Sequence, residues 1–145
     1  MNRLIAAAAL AALPIVAFAQ QTPSPEGAQV YFVGLEDGDT VSSPLTVHFG
    51  LVGMGVAPAG TDVEATGHHH LLIDRAAFGE GDFGAEEFEL AVPNDDNHRH
   101  FGGGQTEVTI ELEPGERTLQ LVLGDHGHVP HDPPIMSERI TVIVE

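Results

Sequence analysis

The sequence predicts an all-β domain, most simply an immunoglobulin-like β-sandwich of about seven strands. Short segments that alternate apolar and polar residues recur along the chain, and Gly, Pro and Asp residues separate them. The chain after residue 28 shows no sustained apolar spacing typical of an amphipathic helix. Because there are no cysteines, packing rather than disulfide bonds must hold the core together.

Seven segments have the composition and alternation of strands. The second of them places Val47, Phe49 and Leu51 on one face, and the sixth does the same with three leucines. The acidic, aliphatic-poor residues 76–87 are predicted to form a solvated excursion. The predicted strands cover residues 30–33, 45–52, 69–74, 88–92, 106–112, 117–123 and 140–144.

The first 19 residues have the pattern of a secretory signal peptide. Asn2 and Arg3 precede an apolar stretch over residues 4–18, and Ala17-Phe18-Ala19 has the small residues of a cleavage site. The stretch is shorter than the ~20 apolar residues of a membrane-spanning helix. We therefore expect a signal peptide over 1–19, a flexible lead-in over 20–28 and a single domain over 29–145. The domain is expected in the periplasm or outside the cell, with no membrane insertion after cleavage.

The chain is strongly acidic, with 22 acidic residues, five basic residues and a formal net charge of −17. It contains arginines but no lysine. Nucleic acids and anionic membrane surfaces are recognised through basic patches, so the composition argues against both as partners. The acidity is typical of solubility and also attracts cations.

Eight of the nine histidines fall in three clusters. In a sandwich, loops alternate between the two ends, so the loops after the second, fourth and sixth strands lie at one end. These are the segments that carry the clusters. The sequence therefore predicts one site built from three separated segments, which contain His68-His69-His70, then His98 and His100, and then His126, His128 and His131.

Imidazole is the commonest protein ligand for transition metals, and zinc and copper are the ions that this composition suggests. Residues at i and i+2 of an extended segment point the same way, so paired imidazoles can converge on one ion. The glycine run at 102–104 would let the backbone approach a ligand closely. The candidate ligands are His68, His70, His98, His100, His126, His128 and His131, with His69, Asp74, Glu107, Asp125 and Asp132 as candidates for orienting them.

One tetrahedral ion needs only four ligands, so some of the seven histidines have another role. They would bind a second ion or form a structural network. The favoured hypothesis is an exported module that binds zinc or copper. One alternative is a metal-dependent enzyme with an open coordination position. Another is a cell-envelope interaction module, with an envelope protein as its partner and the histidines as a structural network. No catalytic residue and no organic cofactor site is assigned.

Three histidine-containing segments are distinctive: GHHHLLID from Gly67, NHRHFGGGQTE from Asn97 and LGDHGHVPHDPPIMSERI from Leu123. They resemble a bacterial exported family known only as a domain of unknown function, DUF4399. The stretch from Tyr31 to Gly60 is similar to the opening half of that family. The resemblance implies a periplasmic or secreted single domain, and it implies neither an activity nor a ligand set.

Overall fold

The computed structural model describes residues 21–145, and the predicted signal peptide lies outside the described residues. The strands are β1 Gln29–Val33, β2 Thr40–Val41, β3 Leu45–Val52, β4 Gly55–Val56, β5 Thr66–Ile73, β6 His98–His100, β7 Glu107–Ile110, β8 Gly115–Gly124 and β9 Ile140–Val144. A three-stranded sheet has the order β1-β3-β7, and a six-stranded sheet has the order β2-β9-β8-β5-β4, with β6 also paired to β5.

The all-β, sandwich-like class is confirmed. The second and the last predicted strands have the bounds that the structure gives to β3 and β9. The helical content of residues 21–145 is a single 3-10 helix, Gly84–Glu89. Within this described part, no helix is both long and apolar enough to span a membrane.

The main core lies between the two sheets. Leu119, Leu121 and Leu123 of β8 are completely buried there, as their alternation predicted. Leu71 of β5 and Val142 of β9 join them from the neighbouring strands. Truncating such a buried leucine to alanine typically lowers the free energy of unfolding by about 2–5 kcal/mol. The core is therefore the rigid support behind β5 and β8.

A second apolar cluster covers the other face of the six-stranded sheet. Phe78 and Val92, from the segment between β5 and β6, pack there with Leu72 and Val122 of the sheet, and Phe88 packs against them. Residues 76–87 were predicted to be solvated, and this is wrong for Phe78, which is 4% exposed. Because both faces of the sheet are covered, residues 67–73 of β5 are all buried.

The predicted fourth strand, 88–92, is wrong. The 3-10 helix ends within it, and the rest is extended chain that is not paired as a strand. The apolar side chains of Phe88 and Val92 pack on the second cluster and do not belong to an alternating strand pattern. Conversely, the predicted loop around His98 and His100 contains strand β6, which pairs with β5.

Residues 21–25, which we call the N-terminal strap, are bound to the loop after β8. Ser24 N–H donates to the Asp132 carbonyl at 3.1 Å, and Asp132 N–H donates to the Thr22 carbonyl at 3.0 Å. The Thr22 hydroxyl donates to Asp125 Oδ2 at 2.7 Å. The sequence predicted a flexible lead-in over 20–28, whereas these contacts hold Thr22 and Ser24 against the domain.

Candidate metal centre

Four imidazoles meet beside the six-stranded sheet: His68, His70, His100 and His128. One ligand nitrogen from each can be chosen so that all four lie within 4.8 Å of one another. His68 and His70 are completely buried, and His100 and His128 are partly buried. We call this group the four-imidazole cluster. It unites one or two histidines from each of the three sequence clusters.

Strand β5 supplies two of these rings because side chains alternate across a strand. His68 and His70 point to one face, with ring centroids 4.8 Å apart. His69 points to the main core, where its ring lies 5.0 Å from the Phe49 ring and its Nδ1 is 3.3 Å from the Gln105 carbonyl. Strand β8 pairs with β5 through His68 and Gly124, and this register holds both rings in place.

Strand β6 supplies His100, which lies directly opposite His70 in the antiparallel register. Their rings are 5.3 Å apart and nearly parallel. His98 lies opposite Leu72, two residues from His100 along strand β6. Two residues of a strand span about 6.5–7 Å. The i, i+2 spacing therefore places His98 on the same face as His100 but beyond the reach of the cluster.

The loop after β8 supplies His128. Its backbone has φ of +70°, in the left-handed region that non-glycine residues rarely adopt. Its N–H donates to the Asp125 carbonyl at 3.0 Å, and its carbonyl accepts from Val92 N–H at 2.9 Å. These contacts turn the ring to within 3.1 Å of His68, measured from Nδ1 of His128 to Nε2 of His68.

Two glycines make room for the rings. A Cβ at Gly124 would lie 2.6 Å from Cε1 of His70, and a Cβ at Gly102 would lie 2.5 Å from Nε2 of His100. Both distances are well inside van der Waals contact, so these positions exclude any side chain while the rings keep their places. The glycine run at 102–104 thus serves a histidine ring. Gly124 carried no sequence signal for this role.

We expect Gly102→Ala to weaken metal binding about 10- to 100-fold, because the new methyl group displaces the His100 ring from the cluster. The domain should stay folded, since His100 is only partly buried and its displaced ring can move towards solvent. Gly103→Ala is the matched control, because a Cβ there meets only the Gln105 side chain, at 3.1 Å or more. Metal titration followed by calorimetry measures the effect, and equal affinities for the two variants would contradict it.

Burial favours the neutral form of His68, His70 and His100. Burial, together with the neighbouring His128 and His100, lowers the pKa of His68 to about 4. Burial, reinforced by the His68, His100 and His128 rings, lowers the pKa of His70 to about 2. Burial and His128 also lower the pKa of His100. Neutral imidazole is the form that binds metals, so the site is prepared for an ion at neutral pH.

Several ring nitrogens of the cluster are buried without a hydrogen-bond partner. They are Nδ1 of His68, both nitrogens of His70 and Nε2 of His100. A buried polar atom without a partner costs about 1–3 kcal/mol. A metal ion would bind one ring nitrogen of each histidine, the one that carries the lone pair, and the donor set of four imidazoles suits zinc and copper. The residues present therefore fit a transition-metal ion.

Three of the seven candidate ligands lie outside the four-imidazole cluster. Arg75 Nη1 donates to Nε2 of His98 at 2.6 Å. Because a guanidinium only donates, Nδ1 of His98 carries the proton and donates to Asp95 at 2.7 Å. The exposed His126 has its Nδ1 3.6 Å from Asp62, and the buried His131 has its Nε2 3.2 Å from the Thr66 carbonyl.

The five candidate orienting residues were expected beside the ligating histidines, but the structure places most of them elsewhere. Asp74 pairs with Arg117 at 3.0 Å, and Glu107 pairs with His48 at 3.1 Å on an exposed face. Asp132 is exposed and binds the N-terminal strap through its backbone. His69 faces the main core, as described above. Only Asp125, among these five, organises the backbone that presents a cluster histidine.

Asp125 is 5% exposed and holds the loop around His128. Its Oδ1 accepts from Gly127 N–H at 2.8 Å and from Val129 N–H at 3.0 Å. Burial by itself raises the pKa of this carboxyl, but the hydrogen bonds from Thr22, Gly127 and Val129 outweigh burial and hold the pKa below its usual value. Sequence reasoning missed Thr22, which carried no signal for a contact 103 residues away.

We expect Asp125→Ala to weaken metal binding about 10- to 100-fold, although Asp125 does not belong to the cluster, because His128 loses the support of its strained backbone. The free energy of unfolding should also fall by about 1–3 kcal/mol, since three partly buried hydrogen bonds to this carboxylate are lost, from Thr22, Gly127 and Val129. Asp125→Asn is the control, because its amide oxygen still accepts from the Gly127 and Val129 N–H groups. If the alanine variant binds the ion as tightly as the unmodified protein, the positioning role is refuted.

Comparison with models of known protein families identifies one family. The model of a family described as Domain of unknown function (DUF4399) matches residues 47–145. The match includes all four histidines of the cluster, and it leaves Tyr31 and the residues up to 46 outside. No curated protein and no solved structure matches the chain.

Proposed function

The chain belongs to this family of unknown function, and we propose from its own residues that it binds one zinc or copper ion through His68, His70, His100 and His128. The observation that carries the proposal is the convergence of four ligand nitrogens within 4.8 Å. Four imidazoles and no thiolate form a donor set that suits both ions. The net charge of −17 favours the approach of a cation.

A purely structural histidine network is the main competing function. Such a network would pair the ring nitrogens with one another or with the backbone. The cluster instead contains one hydrogen bond between its rings, which joins His68 and His128, beside several buried nitrogens that have none. His98 shows the contrast, since both of its ring nitrogens are hydrogen-bonded to groups outside the cluster. The pattern of partners therefore supports metal binding.

Export to the periplasm or the medium belongs to the same proposal and rests on the signal-peptide pattern of residues 1–19. In that setting the domain would buffer, carry or sense the ion. Mapping the N-terminus of the protein recovered from the periplasm of its host would test export. A mature chain that begins near residue 20 supports it, and recovery of the uncleaved chain from the cytoplasm refutes it.

Metal analysis tests the proposed function directly. The untagged protein is purified without chelators, analysed by plasma mass spectrometry, stripped of metal, and titrated with zinc and with copper. We expect one ion per chain and a dissociation constant on the order of nanomolar or below, as for other four-ligand sites. His48→Ala is the control, because this exposed residue pairs with Glu107 away from the cluster. No saturable uptake of either ion would refute the proposal.

A further inference from the structure

The arrangement of the four rings carries information about which ion they hold. Four points define six separations, and here these run from 4.5 Å for His100 and His128 to 5.9 Å for His70 and His128. The other four are 4.8 Å for His68–His70, 4.9 Å for His68–His128, 5.0 Å for His68–His100 and 5.3 Å for His70–His100. The ring centroids are thus nearly equidistant.

Coordination geometry predicts two different sets of separations. With metal–nitrogen bonds of about 2.0–2.1 Å, an imidazole centroid lies roughly 3.2 Å from the ion. A tetrahedron then gives six equal separations of about 5.2 Å. A square plane gives four of about 4.5 Å and two diagonals of about 6.4 Å, and the diagonals join different pairs of rings.

The observed separations are closer to those of the tetrahedron than to those of the square. The longest separation, His70–His128 at 5.9 Å, would have to be one diagonal of a square. The other diagonal would then be His68–His100, which measures only 5.0 Å. No assignment of opposite pairs gives two long diagonals, because every other opposite pair is shorter than 5.4 Å.

The backbone keeps the rings in this arrangement. Three of the four histidines lie on two paired strands, β5 and β6, whose register fixes their spacing. Gly102 and Gly124 leave only enough room for the His100 and His70 rings. Flattening the group into a square would therefore require a shift of a paired strand or a clash with neighbouring atoms.

We infer that the ion is zinc(II), held in a closed tetrahedral site by the four imidazoles; this rests on the proposed metal-binding function. Zinc in closed protein sites is tetrahedral, whereas copper(II) and nickel(II) prefer tetragonal geometry. Copper(I) is selected by soft sulfur ligands, and the cluster contains none. Met54 packs against the main core instead.

A closed site has a functional consequence. Catalytic zinc sites have three protein ligands and keep a fourth position for water or substrate. Four imidazoles fill a tetrahedron, so the ion has no position at which to activate water. The zinc would then be cargo or a structural element of the domain rather than a hydrolytic centre.

Cobalt(II) substitution and X-ray absorption of the zinc-loaded protein test the inference. We expect the intense visible bands of tetrahedral cobalt(II) and a shell of four nitrogens at about 2.0–2.1 Å from zinc. His128→Ala should leave three nitrogen ligands and add a water oxygen, with weaker zinc binding. The N-terminal strap and Asp125 remain present in this variant, so the change reports on the ligand itself.

The outcomes separate the inference from the proposed function. Weak cobalt bands typical of six ligands, or a shell of five or six light atoms around zinc, would overturn the tetrahedral site while leaving metal binding intact. Stoichiometric copper(II) with a tetragonal spectrum and no uptake of zinc would do the same. Failure to bind zinc, copper or cobalt at all would instead remove the proposed function on which the inference rests.

Discussion

Replacing both His100 and His128 by alanine is expected to raise the dissociation constant for the bound ion by about four to six orders of magnitude. Closed four-ligand zinc sites bind with apparent free energies of about 10–16 kcal/mol, or roughly 2.5–4 kcal/mol for each ligand. Removing two ligands therefore removes about half of the binding free energy. Competition with a chelator of known affinity measures the change.

The matched control removes the same number of imidazoles from the same two segments. His98→Ala with His126→Ala takes away two histidines that lie outside the four-imidazole cluster. This variant should bind the ion within about threefold of the unmodified protein, a difference of less than 1 kcal/mol. Similar losses in both double variants would show that the cluster is not the site. Urea unfolding of the metal-free proteins checks that each variant is folded.

Metal loading is expected to raise the thermal midpoint of unfolding by about 10–20 °C. An ion that binds only the folded state at a thousand times its dissociation constant adds about 4.1 kcal/mol of stability. For a domain of this size, each kcal/mol shifts the midpoint by a few degrees. Calorimetry with and without a chelator measures the shift, and an unchanged midpoint would contradict it. The double variant lacking His100 and His128 should show no shift.

In the metal-free protein the same cluster makes stability depend on pH. An unfolded histidine has a pKa near 6.5, whereas the folded pKa is lowered to about 4 for His68 and about 2 for His70. Below pH 6.5 the unfolded chain therefore binds more protons than the folded chain, and the free energy of unfolding falls as pH falls. The stability is fully present above pH 6.5, and it is lost progressively down to about pH 4 for His68 and about pH 2 for His70.

The slope is about 1.4 kcal/mol per pH unit for each such histidine. Urea unfolding of the metal-free protein between pH 7.5 and pH 4.5 measures it, with about two histidines contributing below pH 6.5. His70→Gln should reduce the slope, because glutamine cannot take up the proton in the unfolded chain. A free energy of unfolding that is constant from pH 7 to pH 5 would rule out the neutral, buried cluster.

Much of the fold followed from local patterns. The alternation in Leu45–Val52 and Ile140–Val144 predicted both strands to the residue. The error at residues 88–92 has a physical origin. Apolar residues in a loop that covers a sheet, such as Phe88 and Val92, need no regular spacing along the sequence. The same limit applies to β6, whose residues His98–His100 are polar and too few to show alternation.

The site was predicted in part. The i, i+2 rule holds for His68 and His70 because both belong to a strand. It fails for His126 and His128 because they lie in a bend of the chain, where the His128 ring contacts His68 and the His126 ring lies near Asp62. Thr22 and Gly124 contribute to the site through contacts that are distant in sequence, so no local pattern could have indicated them.

The sequence by itself determined the all-β class, the acidic surface and the three segments that carry the histidines, because alternation, charge and clustering are local properties of the chain. Only the tertiary structure decided which four of the seven candidate histidines meet. That choice depends on the register that sets His100 opposite His70, and on the loop conformation that turns His128 towards His68. Strand register and loop conformation arise from contacts between residues far apart in the chain, and these form only when the two sheets pack.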